Sequence, residues 1–153
     1  VVAGDHLDTQ ILATGKRVVT IGGGDTGADC LGTSHRHKAL SVHQFEIMPM
    51  PPEHRAESTP WPLWPLQLRQ ESSHEEGGIR DWAIATTRFE GDEHGNVKKL
   101  HGVRVGAPPK FDPLPGTEFT MDVDLVNGYK PKQVKTRVGP LERGATFSLT
   151  CST

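Results

Sequence analysis

Hydrophobic positions first form a regular pattern at residue 17. The run from Arg17 to Ile21 is short, β-branched and mostly apolar, and it ends at three consecutive glycines, as is typical of a buried parallel strand. Ala28, Leu31 and His35 then recur at helical spacing, which predicts a helix of about three turns. The run from Ser41 to Ile47 is again β-prone. These segments predict a strand–helix–strand unit with two parallel strands.

The second half of the chain has the pattern of antiparallel strands. Residues 81–89 are rich in threonine and aliphatic side chains, residues 91–96 are turn-forming, and residues 97–105 complete a hairpin. Apolar and polar residues alternate from Phe119 to Leu125, which predicts a further strand of the same meander. Six of the 12 prolines lie between residues 49 and 65, so that segment is expected to be irregular. The predicted fold class is α/β, a Rossmann-like dinucleotide-binding βαβ unit with an antiparallel β-meander.

Composition limits the class of protein. A length of 153 residues corresponds to one domain, and a hydrophobic fraction of 34% predicts a modest core. No apolar run is long enough to cross a membrane, and residues 1–10 lack the pattern of a signal peptide. Cys30 and Cys151 are far apart and the eight histidines lack ligand spacing, so no metal site is predicted. We therefore expect a soluble, cytoplasmic protein with no membrane partner.

Charge is distributed unevenly along the chain. Residues 127–153 hold five basic residues and one acidic residue, so they carry +4 and leave −6 for the remainder. The main body is therefore too acidic to indicate binding to nucleic acid. We expect residues 1–15 to form a linker, residues 16–126 to form an incomplete NAD(P)H-binding domain, and residues 127–153 to form an irregular basic tail.

A glycine-rich segment joins the first predicted strand to the predicted helix and fits the GxGxxG pattern of dinucleotide-binding proteins. In that pattern the first glycine permits a tight turn, the second lets the backbone approach a pyrophosphate, and the third lets the helix pack closely on the strand. Asp25 and Thr26 supply polar groups where a helix is capped. A purely structural turn is the alternative, but the strand and helix around the motif favour nucleotide binding. The cofactor-binding residues predicted here are Gly22, Gly23, Gly24, Asp25, Thr26 and Gly27.

Charged residues beyond the motif bear on the choice of nucleotide. Glu46 lies 19 residues past Gly27, where an acidic residue often binds the ribose hydroxyls of NAD. An arginine in this region can instead accept the 2′-phosphate of NADP, and we expect Arg55, together with Arg36 at the end of the helix, to reach this edge of the sheet. Alternatively, Glu46 and Arg55 are ordinary surface charges. No nucleophile and no pair of carboxylates has a catalytic arrangement, so we predict cofactor-binding residues but no catalytic ones.

Residues 15–30, which read GKRVVTIGGGDTGADC, resemble the pyridine-nucleotide domain of the glutamate synthase small-subunit family. The resemblance extends to about Val126, and its most specific part is the proline–tryptophan block at residues 60–65. Further matching stretches are residues 45–49, 51–53, 55–56, 73–77 and 91–97.

This resemblance implies a flavoprotein of the adrenodoxin-reductase type with two dinucleotide sites. In that family NADPH delivers hydride to FAD, and electrons pass through iron–sulfur clusters to a large subunit that makes glutamate from glutamine and 2-oxoglutarate. The resemblance favours NADPH as the cofactor, with NADH possible. With NADPH bound, we expect Arg55 to be the partner of the 2′-phosphate, because of its position in the sequence. It implies an FAD domain and the large subunit as partners.

The chain departs from the family in two respects. It has no FAD-binding glycine motif and no cysteine-rich segment, so we expect a fragment that by itself only binds nucleotide. Residues 127–153 do not match the family, and a shifted reading frame or a chimeric gene end would account for that mismatch. The alternative function is that of a non-catalytic remnant, which folds but has no redox role.

Trp61 and Trp64 lie in the proline-rich segment. Either they pack on the domain's own sheet, or they contact a neighbouring domain or subunit. Exposure of both side chains would favour the contact.

Overall fold

The computed structural model describes residues 11–127, which contain two helices and seven strands. In chain order these are β1 (Arg17–Ile21), α1 (Asp25–Arg36), β2 (Ser41–Phe45), α2 (Ser72–Glu75), β3 (Ile79–Asp81), β4 (Ile84–Gly91), β5 (Val97–Arg104), β6 (Phe119–Asp122) and β7 (Leu125–Asn127).

The sheet that carries the glycine motif has four parallel strands in the order β3-β2-β1-β7. Strand β1 pairs with β2 from Arg17 opposite Ser41 to Ile21 opposite Phe45. Helix α1 supplies the crossover that parallel neighbours require. The predicted strand–helix–strand unit with two parallel strands is therefore confirmed, as is the α/β fold class.

Strands β4, β5 and β6 form a separate antiparallel sheet in that order. The turn between β4 and β5 is organised by Asp92, whose carboxylate accepts hydrogen bonds from the backbone amides of His94 and Asn96 at 3.0 and 2.8 Å. Hydrogen bonds in which an aspartate carboxylate accepts from backbone amides two or more residues further along the chain are typical of turns. The predicted hairpin is confirmed.

The parallel sheet is buried on both faces, because alternate side chains of its strands enter two different cores. One core lies between the sheet and α1 and consists of Ala13, Val18, Leu31, Val42 and Leu125. The other lies between the two sheets and consists of Val19, Phe45, Ile84, Val97, Leu100, Val123 and Val126. The molecule therefore has three layers, a helix, a parallel sheet and an antiparallel sheet.

The prediction of one strand over residues 119–125 is wrong. Strand β6 ends at Asp122, and the chain then crosses to the other sheet, where β7 begins at Leu125. The crossing is fixed by Arg17 at the start of β1, which donates three hydrogen bonds to the Asp124 carboxylate at 2.9 to 3.0 Å. A similar crossing precedes β4, where Ala83 has a φ of +54° between the parallel β3 and the antiparallel β4.

The segment from residue 49 to residue 65 contains no helix or strand, as predicted. Trp61 is 82% exposed and Trp64 is 77% exposed, so the alternative in which they pack on the domain's own sheet is wrong. Most of the predicted linker and nearly all of the predicted basic tail lie outside the described residues.

Candidate functional site

Three parallel strands end side by side at one edge of the sheet. Strand β1 leads into the glycine loop, defined here as residues 22–27, β2 leads into Glu46, and β3 ends at Asp81. The Gly22 amide donates to the Phe45 carbonyl at 2.8 Å, and the Glu46 amide donates to the Asp81 carbonyl at 2.9 Å. Ligands of open α/β sheets bind outside the carboxyl ends of the strands, which makes this edge the candidate site.

The three glycines of the GxGxxG pattern have different structural environments. Gly22 has a φ of +117°, which side chains rarely tolerate. A Cβ at Gly24 would meet nothing within 4 Å, so the loop is open there. A Cβ at Gly27 would collide with the Gly22 carbonyl oxygen. The loop therefore combines a tight turn, an open stretch of backbone and a close contact with α1.

Helix α1 begins beside the cavity without a side-chain cap. Gly24 is its N-cap residue. Asp25 and Thr26 were predicted to cap the helix, but they lie in its first turn. The Ala28 amide donates to the Gly24 carbonyl at 3.1 Å, so the amides that precede Ala28 have no partner within the helix. Such amides, at the positive end of the helix dipole, bind anions.

Glu46 reaches back over the glycine loop. Its carboxylate accepts hydrogen bonds from the Gly23 amide and, at 3.1 Å, from the Met48 amide. The side chain lines the same cavity as Gly23 and Gly24. A carboxylate in this place suits the hydroxyl groups of a ribose and repels a 2′-phosphate.

A cavity of about 750 Å³ lies beside the loop, within the usual size range of cofactor pockets. Its lining includes the aromatic side chains of Trp64 and Trp82 and the guanidinium groups of Arg69 and Arg80. The Arg69 guanidinium lies 4.2 Å from the centre of the Trp64 ring, and that of Arg80 lies 5.1 Å from the centre of the Trp82 ring. Aromatic surface beside positive charge suits a nucleotide.

The two arginines predicted from the sequence have partners elsewhere. Arg55 donates to the Leu63 carbonyl at 2.7 Å, within the proline-rich segment, and is not among the described residues that line the cavity. Arg36 donates to the carboxylate of Glu76 at 2.8 and 3.2 Å. The fold therefore brings the glycine loop and Glu46 together, but it does not bring Arg55 to them.

Sequence reasoning missed Gln44 and His74. Gln44 is 2% exposed, its side-chain amide donates to the Gly22 carbonyl at 2.9 Å, and its Oε1 lies 3.0 Å from His74 Nε2. The available signal for Gln44 was a glutamine within a buried strand, where polar residues are uncommon. His74 lies in one of the stretches that match the family, residues 73–77, but that match gave it no role.

The environment of His74 keeps its imidazole neutral at pH 7. Burial lowers the pKa of His74, and the positive charge of Arg80 lowers it further, while Glu71 acts in the opposite direction. The Glu71 amide donates to His74 Nδ1 at 3.0 Å, which also requires an unprotonated Nδ1.

Residues 11–127 contain neither a membrane-spanning helix nor a cluster of metal ligands. Neither helix there is long and apolar enough to cross a bilayer. No group of three or more potential metal ligands comes together in that part of the chain.

Several known proteins that are similar to this chain are glutamate synthases. No protein-family model matches the chain. The glutamate synthase (NADPH) small chain of Mycobacterium tuberculosis is 54% identical over 117 residues, which is 76% of this chain and 24% of the relative. The glutamate synthase (NADH) of Saccharomyces cerevisiae is 45% identical over 151 residues, covering 83% of this chain and 7% of the relative. The glutamate synthase (NADPH) small chain of Bacillus subtilis is 39% identical over 132 residues, covering 78% and 27%.

The chain thus spans about a quarter, or less, of the length of these relatives. The similarity nevertheless extends over most of this chain. Over most of its length the chain is similar to a segment of glutamate synthase, both of the NADPH small chains and of the NADH enzyme.

Proposed function

We propose that the glycine loop and its cavity bind a reduced nicotinamide dinucleotide, and that residues 16–126 form an incomplete NAD(P)H-binding domain. The observation that carries this proposal is the uncapped start of α1 beside the cavity, where Gly24 leaves the backbone open. A pyrophosphate there would receive hydrogen bonds from loop amides and the favourable end of the helix dipole. Glu46 is placed to accept hydrogen bonds from a ribose.

The role in a complete protein is inferred from the family resemblance. There the dinucleotide supplies hydride to FAD, and the electrons pass through iron–sulfur clusters to a large subunit that forms glutamate from glutamine and 2-oxoglutarate. The residues described here bind and orient the dinucleotide. We assign FAD and the clusters to parts of the family protein outside this segment, because the sequence holds a single GxGxxG motif and two distant cysteines.

The choice between NADPH and NADH depends on Glu46 and Arg55. The family resemblance favours NADPH, and sequence position suggested Arg55 as the partner of its 2′-phosphate. The contacts of the described residues favour NADH, because Glu46 lies at the loop while Arg55 is bound to the Leu63 carbonyl. Relatives named for each nucleotide are similar to this chain. NADH is therefore the first candidate and NADPH the second.

The proposal is tested by calorimetric titration of the 153-residue chain with NADH and with NADPH. We expect saturable binding at one site, and we expect Gly24→Val to weaken it at least tenfold, because the new side chain would occupy the space of the pyrophosphate. The melting temperature should change little, since a Cβ at Gly24 meets nothing within 4 Å.

Gly106→Val is the matched control, because a Cβ there makes only ordinary contact, at 3.6 Å from the Asp112 carbonyl oxygen. It should bind as the original chain does. A folded chain that binds neither nucleotide would support the alternative of a non-catalytic remnant. Unchanged affinity in Gly24→Val would remove the loop from the site.

A further inference from the structure

A continuous chain of hydrogen bonds runs from the start of α2 to the glycine loop. The Glu71 amide donates to His74 Nδ1 at 3.0 Å, His74 Nε2 lies 3.0 Å from Gln44 Oε1, and Gln44 Nε2 donates to the Gly22 carbonyl at 2.9 Å. A backbone amide only donates and a backbone carbonyl only accepts. The two ends therefore fix the direction of every bond between them, and His74 must be the neutral form that carries its proton on Nε2.

We infer that Gln44 and His74 are positioning residues that hold the glycine loop in the conformation that receives the dinucleotide. The inference rests on the proposed function. Gln44 and His74 both line the cavity, but their effect on binding is transmitted through the Gly22 carbonyl and does not require contact with the ligand.

Peptide planarity transmits the effect of Gln44 to the site. The carbonyl of Gly22 and the amide of Gly23 belong to one planar peptide group and point in opposite directions. When Gln44 holds the carbonyl, it also sets the direction of the Gly23 amide, which lies on the cavity side and donates to Glu46. Gly22 has a φ of +117°, so its own backbone preferences define this conformation only weakly.

Close packing supports the same assignment. A Cβ at Gly27 would collide with the Gly22 carbonyl oxygen and come within 2.8 Å of Gln44 Nε2. The carbonyl, the Gln44 amide and the first turn of α1 therefore share one tightly filled space. The third glycine of the motif makes room for this hydrogen bond as well as for the packing of helix on strand.

His74 is held in turn by its own element. Its ring accepts the backbone amide of Glu71, the N-cap residue of α2, in a reciprocal capping arrangement. Helix α2 packs on α1 where Ser73 faces Gly32, and the ion pair between Arg36 and Glu76 joins the same two elements. The hydrogen-bond chain thus ties the loop to a part of the fold that is fixed independently.

The chain of bonds requires a neutral His74. Protonation would place an N–H on Nδ1 facing the Glu71 amide, so that two donors would oppose each other. Arg80 disfavours the protonated form and Glu71 favours it, and Asp25, Glu46 and Asp81 line the same cavity. The pKa of His74 lies below its ordinary value of 6.5. Nucleotide affinity should therefore be constant above pH 6.5 and decrease as the pH is lowered below 6.5.

The test compares variants of the full chain by calorimetric titration with NADH. Gln44→Leu and His74→Leu should each weaken binding about tenfold at pH 7.5, the factor expected for a buried hydrogen bond lost at the site. His74→Gln retains a donor toward Gln44 and should bind within about threefold of the original chain, but without the loss of affinity below pH 6.5.

His101→Gln is the matched control. His101 is also partly buried and bonded through both ring nitrogens, to Glu90 at 2.9 Å and to Thr120 at 2.8 Å, but it lies in the antiparallel sheet. The affinity of the His101→Gln variant for NADH, and the pH dependence of that affinity, should equal those of the original chain. Melting temperatures of all variants separate unfolding from weakened binding.

Nitrogen NMR of His74 provides a readout that needs no nucleotide and no variant. We expect the neutral form with its proton on Nε2 at pH 7.5. A proton on Nδ1, or a charged ring, would overturn the inference even if Gln44→Leu fails to fold. Equal binding by the original chain, Gln44→Leu and His74→Leu would overturn it while leaving the proposed function intact. If the original chain binds no dinucleotide, the proposed function fails, and this inference fails with it.

Discussion

Glu46 illustrates how much depends on the placement of one side chain. From sequence spacing alone, it was either a ribose ligand or an ordinary surface charge. Its carboxylate accepts a hydrogen bond from the Gly23 amide and lines the cavity, so that a nucleotide on the loop must contact or displace it. Arg55, the proposed partner of a 2′-phosphate, is bound to a carbonyl within its own segment.

These two residues lead to a prediction about nucleotide selectivity. Glu46→Gln should improve the affinity for NADPH relative to NADH about tenfold, because a charge that repels the 2′-phosphate is removed. Arg55→Ala should change neither affinity. The dissociation constants of both nucleotides, measured for both variants, provide the check. A selective loss of NADPH binding in Arg55→Ala would restore that arginine as the phosphate partner.

Among the elements, the proline-rich segment from residue 49 to residue 65 differs most from the rest of the fold. It has no regular secondary structure, yet Trp64 and Arg69, just beyond it, line the cavity. Prolines restrict the unfolded chain, so an irregular segment of this kind loses less conformational entropy on ordering. The segment can therefore hold exposed aromatic side chains in place without burying them.

Trp64→Ala should cost little stability, about 1 kcal/mol or less, because the exposed ring loses mainly its contact with Arg69. Leu100→Ala is the comparison. Leu100 is fully buried in the core between the sheets, so this substitution should lower the free energy of unfolding by about 2–5 kcal/mol. Urea unfolding of both variants measures the difference. A loss for Trp64→Ala as large as that for Leu100→Ala would show that the tryptophan is part of the folded core.

For the whole molecule, the decisive contact is the one that places β7 in the parallel sheet. Arg17 donates to Asp124 through its backbone amide and its guanidinium, and it also contacts Asp122 at 3.0 Å. Through these bonds the connection between β6 and β7 is joined to the start of β1. The hydrogen bonds of Arg17 lower the pKa of Asp124 from 3.8 to about 2.

A pH dependence of stability follows from this shift. The native pKa of Asp124 is lower than its unfolded value, so the contact stabilises the fold fully above about pH 4, and the contribution is lost as the pH falls to about 2. Asp124→Asn should lower the free energy of unfolding by about 1–2 kcal/mol at pH 7, reduced from the full value because the pair is partly exposed.

The difference between Asp124→Asn and the original chain should disappear near pH 2. Asp122→Asn removes a more exposed carboxylate that contacts the same arginine. It should lower the free energy of unfolding by less than about 0.5 kcal/mol. Urea unfolding at several pH values tests both. A pH-independent cost for Asp124→Asn would mean that its charge does not hold the two sheets together.

The sequence by itself determined those features that depend on local patterns. A β-branched run before glycines, helical spacing after them and β-prone runs on both sides of a turn-forming segment are consequences of backbone geometry and burial, which act over a few residues. They were enough to predict β1, α1, β2, the hairpin and the conformational need for Gly22. The glycine motif and the proline–tryptophan block were enough to predict the similarity to glutamate synthase small chains.

Only the tertiary structure decided which distant residues meet. The alternating run at residues 119–125 has the local pattern of a single strand. However, Asp124 is bound by Arg17, more than 100 residues away in the sequence, and this contact divides the run between two sheets. Gln44 and His74 carry no local pattern that joins them, and they meet only because α2 packs beside the carboxyl end of β2. Local patterns fix the elements, whereas hydrogen-bond partners far apart in the chain are chosen by the packing of the complete fold.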